Sequence, residues 1–271
     1  MNRKLALPFV LLLLTACVRL DTLPPGMANP SQTGGSMSFP DVDSNGALKS
    51  LHFSVHGYLD ADMQSVSQRA ESIYNKIGND TGLYSYMAGN NYTIVLYRDA
   101  DEYLRKTNQQ AGSKITSSSS TIYMYPDPDN AAQLAHQLCH MVLQPYFGDS
   151  AQNLRWIVEG IAMMEEYPNM QNADQNLYLQ SKQDHLRLNP IPFSQMTFAN
   201  PVNEDGRRTD PWFQQVDSVV SFLVQQGPGS TFGNFLNELR TSGDANRALQ
   251  DNYASKFHNM TDLETAWRST I

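Results

Sequence analysis

The sequence predicts an α+β fold: a small N-terminal mixed sheet with helices, followed by a mainly helical half. Two observations carry this. Between residues 51 and 125, short period-two apolar runs alternate with a helical apolar stripe. From residue 131 onward, apolar residues recur mostly at helical spacing.

Leu51, Phe53 and Val55 alternate with His52, Ser54 and His56, which is a strand pattern. Residues 60–77 read as a helix, with Met63, Val66, Ala70, Ile73 and Ile77 on one face. A strand at 92–97, a short helix from Asp99 and a strand at 121–125 follow. Asp127, Pro128, Asp129 and Asn130 make a turn and supply a helix cap. Helices are then expected at 131–143, 154–167, 212–225, 232–239, 245–253 and 262–270. The stretch 168–211 is polar and broken by prolines, so loops with short helices are expected there.

The first residues bear on the compartment. Asn2, Arg3 and Lys4 precede an apolar run from Leu5 to Leu14 that is too short to span a bilayer. The run stops at Leu14-Thr15-Ala16-Cys17, which resembles a bacterial lipoprotein cleavage site. The resemblance implies a signal peptide at 1–16 and lipidation of Cys17, with several acyl chains giving a stable membrane anchor. Val18 stands where an aspartate would retain an enteric lipoprotein in the inner membrane, so an outer-membrane anchor facing the periplasm is expected. Residues 17–48 are rich in proline, glycine, serine and asparagine and read as a tether. Residues 49–271 suit one compact domain. Cys139 is the only other cysteine, so the mature chain has no internal disulfide to offer. A net charge of -8 argues against nucleic acid as a partner.

Two histidine pairs share an i, i+4 spacing. Six histidines in 271 residues give about 0.13 such pairs by chance, so the spacing alone is a modest signal. Backbone geometry separates them. On a strand, four residues span about 13 Å, too far for one metal ion. His52 and His56 are therefore expected to be exposed strand-face residues. His136 and His140 lie in a helical stretch, about 40° apart and one turn on, so both imidazoles reach one zinc ion. Glu159 is a carboxylate amid Trp156, Ile157, Val158, Ile161 and Ala162, where a cation would offset the cost of burial. Two histidines and a glutamate with an open fourth position form a known catalytic zinc arrangement.

These stretches, with Tyr146-Phe147-Gly148 between them and the ending Asp262-Leu263-Glu264-Thr265-Ala266-Trp267-Arg268, resemble the gluzincin metallopeptidases. Among them, bacterial proteins with a peptidase-MA-like domain are the nearest in pattern. The resemblance implies a zincin-like helical half, with His136, His140 and Glu159 as zinc ligands.

The chain departs from that family at several points. Gln137 stands where the family has the glutamate that serves as general base, and an amide cannot take up a proton at neutral pH. Losing a general base costs about 10²–10⁴ in rate. Met163 stands one turn past Glu159, where an acidic residue would hold a zinc histidine. Glu165 and Glu166 are expected to point about 100–200° away from it. Val158 replaces the asparagine common before the glutamate ligand, and Val216 falls where relatives place a transition-state tyrosine. Cys139 reads as a small core residue, with metal ligation as the alternative. Met141, Met163, Met164 and Met170 read as packing, and His185 and His258 have no assigned partner. The preferred reading is a pseudopeptidase that binds a peptide or protein partner. The alternatives are an active zinc peptidase and a metal-free structural lipoprotein.

Overall fold

The computed structural model describes residues 38–43, 46–199, 201, 206–227 and 229–271. The segment expected as signal peptide, Cys17 and the expected tether up to residue 37 lie outside the described residues. The described chain falls within one compact unit, Met37–Ile271.

The first half builds a five-stranded mixed sheet. Its strands are β1 (Ala47–Lys49), β2 (Phe53–His56), β3 (Tyr92–Leu96), β4 (Ile115–Ser118) and β5 (Thr121–Met124), ordered β1-β2-β3-β5-β4. The inner pairs β2/β3 and β3/β5 are parallel, and the outer pairs β1/β2 and β4/β5 are antiparallel. Alternation along the strands separates the two faces. Phe53, Val55, Ile94, Leu96, Ile122 and Met124 join the main core beneath α1 (Asp60–Thr81). Val95, Tyr97 and Tyr123 form a smaller cluster on the other face with Val42 and Tyr103. Tyr103 lies on α3 (Ala100–Thr107), which follows the single-turn helix α2 (Tyr84–Met87).

The second half is largely helical. Its elements are α4 (Asn130–Phe147), α5 (Arg155–Glu166), α6 (Asn172–Leu188), α7 (Phe193–Met196), α8 (Pro211–Gln225), α9 (Gly229–Ser242), α10 (Ala245–Tyr253) and α11 (Met260–Arg268). Helix α5 packs against both α4 and α8. A Cβ on Gly160 would lie 2.4 Å from Val220 Cγ2 and 2.7 Å from the Val216 carbonyl oxygen. Only glycine permits that approach, and it seats α5 with Glu159 near the histidines of α4. Among the described residues, no helix is long and apolar enough to cross a membrane.

Four expectations are corrected. Strand β1 begins inside the segment read as tether, and Pro40 accepts a 2.5 Å hydrogen bond from the Tyr97 hydroxyl. Three strand residues with alternating exposure were too short a signal to stand out beside prolines and glycines. Helix α6 runs for 17 residues where loops were expected. It buries only Tyr178 and Leu186, so it carries no apolar stripe to read. Edge strand β4 was missed because it buries only Ile115 among polar residues. The turn before α4 forms, with Asp127 accepting from the Asp129 amide at 2.8 Å, but no side chain caps the helix.

Candidate metal centre

Helix α4 presents His136 and His140 one turn apart, with ring centroids 4.8 Å apart. Their Nε2 atoms are 3.0 Å from each other. Glu159 on α5 brings Oε2 to 3.6 Å from His136 Nε2 and 3.5 Å from His140 Nε2. Zinc bonds of about 2.0–2.1 Å at tetrahedral angles place ligand atoms about 3.4 Å apart. The observed triangle has that size.

The donor chemistry fits a cation. Glu159 is 3% exposed, and its Oε2 has no hydrogen-bond partner. A buried carboxylate oxygen left unpaired is costly. Its other oxygen lies 3.4 Å from Arg155 Nε. Burial pushes Glu159 upward, but His140, His136 and Arg155 outweigh it and hold the carboxyl at about 2. Burial lowers His136 to about 4, with Arg207 adding to the effect and Glu166 opposing it. His136 is therefore neutral at neutral pH, the state a ligand requires. Its positive charge acts on Glu159 only in acid, and Arg155 contributes to keeping Glu159 ionised at neutral pH.

The other nitrogen of His136 meets a residue the sequence reading had turned away. Glu166 Oε2 lies 2.9 Å from His136 Nδ1, although the N–H is not aligned for a full hydrogen bond. Seven residues are nearly two helical turns, so Glu166 returns to within about 20° of Glu159 around α5. The expectation that it points well away is thus corrected. Met163, one turn on, is fully buried in the apolar core instead. Glu166 is also held by Arg207 Nε at 2.7 Å and Arg208 Nε at 2.7 Å. Burial pushes its carboxyl up, yet Arg207 and His136 bring it well below the usual range.

Gln137, next to His136 on α4, has its Oε1 accepting from Ser117 Oγ at 2.8 Å. Ser117 pairs in register with Ile122, so it projects to the α4 side of the sheet. The amide is thereby tied to edge strand β4.

Comparison with protein-family models and with curated proteins found no match for this chain. The centre is therefore assigned from its own geometry.

The other singled-out residues fall outside it. Cys139 is fully buried, burial pushes its thiol well up, and it packs in the core. Met141, Met163 and Met170 are core residues, and Met164 packs against the core. Val216 is buried, with its carbonyl against Gly160. His52 is buried and not exposed as expected, with Nδ1 2.8 Å from Glu71 Oε2. His56 has Nδ1 2.7 Å from Asp41 Oδ2 and Nε2 3.2 Å from Ser54 Oγ. That order matches a serine-hydrolase relay, but β2 is paired on both sides, so its amides are committed to the sheet and do not form an oxyanion hole. His185 Nδ1 meets Gln214 Oε1 at 2.5 Å, and His258 lies 3.4 Å from Asp262 on the surface. A depression lined by Tyr58, Arg98, Asp99 and Glu102 includes none of the candidate ligands.

Proposed function

We propose that this chain is an envelope-anchored lipoprotein whose globular part is a gluzincin-like zinc-binding pseudopeptidase, acting by binding a peptide or protein. The observation that carries the metal reading is the triangle of His136, His140 and Glu159, closed by a buried carboxylate oxygen that has no hydrogen-bond partner. Zinc, when bound, supplies Lewis-acid polarisation and an activated water. His136 and His140 would offer Nε2, and Glu159 would offer Oε2. Glu166 orients His136 from behind, as a carboxylate behind a zinc histidine does.

The loss of hydrolysis rests on Gln137. Its amide can donate to or accept from water but cannot take a proton at neutral pH. Its carbonyl oxygen is also engaged by Ser117. A second reading, an active zinc peptidase, gains from one observation: Glu166 fills the orienting role that Met163 had seemed to vacate. The departures that remain are Gln137 and the buried Val216.

Metal analysis of the purified protein tests the metal reading, and cleavage of a mixed peptide library tests the chemistry. The expected result is about one zinc per chain with negligible cleavage. Zinc that persists in His136→Ala would overturn the ligand set. Robust chelator-sensitive cleavage by the unmodified chain, lost in His136→Ala, would replace the pseudopeptidase with the active enzyme.

A further inference from the structure

We infer that Arg208 is a positioning residue that couples the docking of helix α6 to metal binding at His136. This rests on the zinc-binding reading above and adds a route by which another part of the molecule reaches the centre.

The connection is continuous. Arg208 divides its guanidinium between Glu166 Oε1 at 2.7 Å and Asp174 Oδ2 of α6 at 3.4 Å. Glu166 in turn faces His136 Nδ1. The Arg208 carbonyl accepts from Gln214 Nε2 at 2.7 Å. Gln214 also donates to Ser181 Oγ at 2.9 Å and accepts from His185, both on α6. Gln214 is fully buried, so this arrangement fixes Arg208 between α6 and α8.

Helix α6 is held to its neighbours mostly by polar contacts. Leu177 and Leu188 are 66% and 75% exposed. The Tyr178 hydroxyl donates to Asp217 Oδ2 at 2.7 Å, and Lys182 Nζ reaches the same oxygen at 2.7 Å. A helix with so little apolar burial belongs to the low-stability end of a fold, where local opening is least costly. When α6 leaves, Arg208 loses Asp174 and Gln214 loses Ser181 and His185, so the hold of Arg208 on Glu166 weakens. The orientation of His136 loosens with it. By thermodynamic reciprocity, a metal ion that requires the oriented histidine favours docked α6.

The test uses the detergent-solubilised full-length chain, stripped by chelator and titrated with zinc, with amide exchange followed over residues 172–188. Zinc is expected to slow exchange in α6. Arg208→Gln is expected to weaken zinc binding about 10–100-fold and to abolish the zinc-dependent slowing while the helix content stays unchanged. Arg208→Lys keeps the charge without the fork and should fall between. The imidazole ¹⁵N shifts of His136 should show a single tautomer in the unmodified protein and a mixture in Arg208→Gln. If Arg208→Gln does not fold, Asp174→Asn cuts only the α6 arm and should lose the slowing on its own. Zinc binding with α6 exchange unchanged overturns this proposal and leaves the metal centre standing. So does an unchanged zinc affinity in folded Arg208→Gln. No zinc binding by the unmodified chain overturns both.

Discussion

Glu166 reaches His136 from two helical turns beyond Glu159, so one face of α5 supplies both a candidate metal ligand and the carboxylate behind another. The two roles share one short helix because residues seven apart return to the same side. Replacing Glu166 with Gln should weaken zinc binding about 10–100-fold. It should also destabilise the metal-free fold, because Arg207 and Arg208 lose the charge of a fully buried partner. Denaturant unfolding and zinc titration of the same preparation check both effects.

Gln137→Glu by itself should restore chelator-sensitive peptide cleavage, raising it about 10²–10⁴-fold over the unmodified chain. The family pattern has an acidic residue at Met163 as well, which points to adding Met163→Glu. The structure reverses this, because Glu166 already faces His136 Nδ1 at 2.9 Å and Met163 is fully buried. The double variant should be less stable and no more active, since an unpaired buried charge is costly. Activity of the double variant well above the single one would contradict this account.

Gly160→Ala should loosen the centre without touching a ligand. The added methyl would meet the Val216 carbonyl, a backbone atom that cannot swing aside. Overpacking of this kind costs about 1–3 kcal/mol, and the displacement of α5 would carry Glu159 with it. A lowered thermal midpoint together with weaker zinc binding is expected.

The stability of the metal-free protein should depend on pH in two opposed ways. His136 titrates at about 4 when folded, below its ordinary 6.5. Between those values the unfolded chain binds the extra proton, so stability rises with pH and is fully present above 6.5. Burial raises Glu165 to about 7 from 4.5, against the pull of Lys76. The folded chain then binds the extra proton, so this contribution is present below 4.5 and is lost as pH rises through 7. The two slopes oppose each other between 4.5 and 6.5. Below 4.5, Glu159, held at about 2, adds a loss as pH falls. Denaturant midpoints should therefore be nearly flat from pH 4.5 to 6.5 and fall below that. In Glu165→Gln they should climb across the same interval. A flat profile in that variant would show that His136 is not held neutral by burial.

The anchor is tested separately. Cys17→Ser should release the protein from membranes or leave it unprocessed. Fractionation that finds the variant still processed and membrane-bound would remove the lipoprotein assignment.

Much of the site was legible because helical spacing is local. His136 and His140 are one turn apart in any α-helix, and Glu159 among apolar neighbours marks a buried charge wherever the next helix docks. The alternation of Phe53 and Val55 likewise marks a two-faced strand before any partner is known. Tertiary structure decided which polar residues meet. Arg207 and Arg208 converge on Glu166 from some forty positions away, and Ser117 reaches Gln137 from an edge strand with almost no apolar signature. Helix α6 was invisible for the same reason, since it is held by Tyr178, Lys182 and Asp217 more than by an apolar stripe. Apolar periodicity reports what a segment buries against any core. A hydrogen bond or ion pair between distant segments depends on where both are placed, and packing, such as that of Gly160 against Val216, sets those positions.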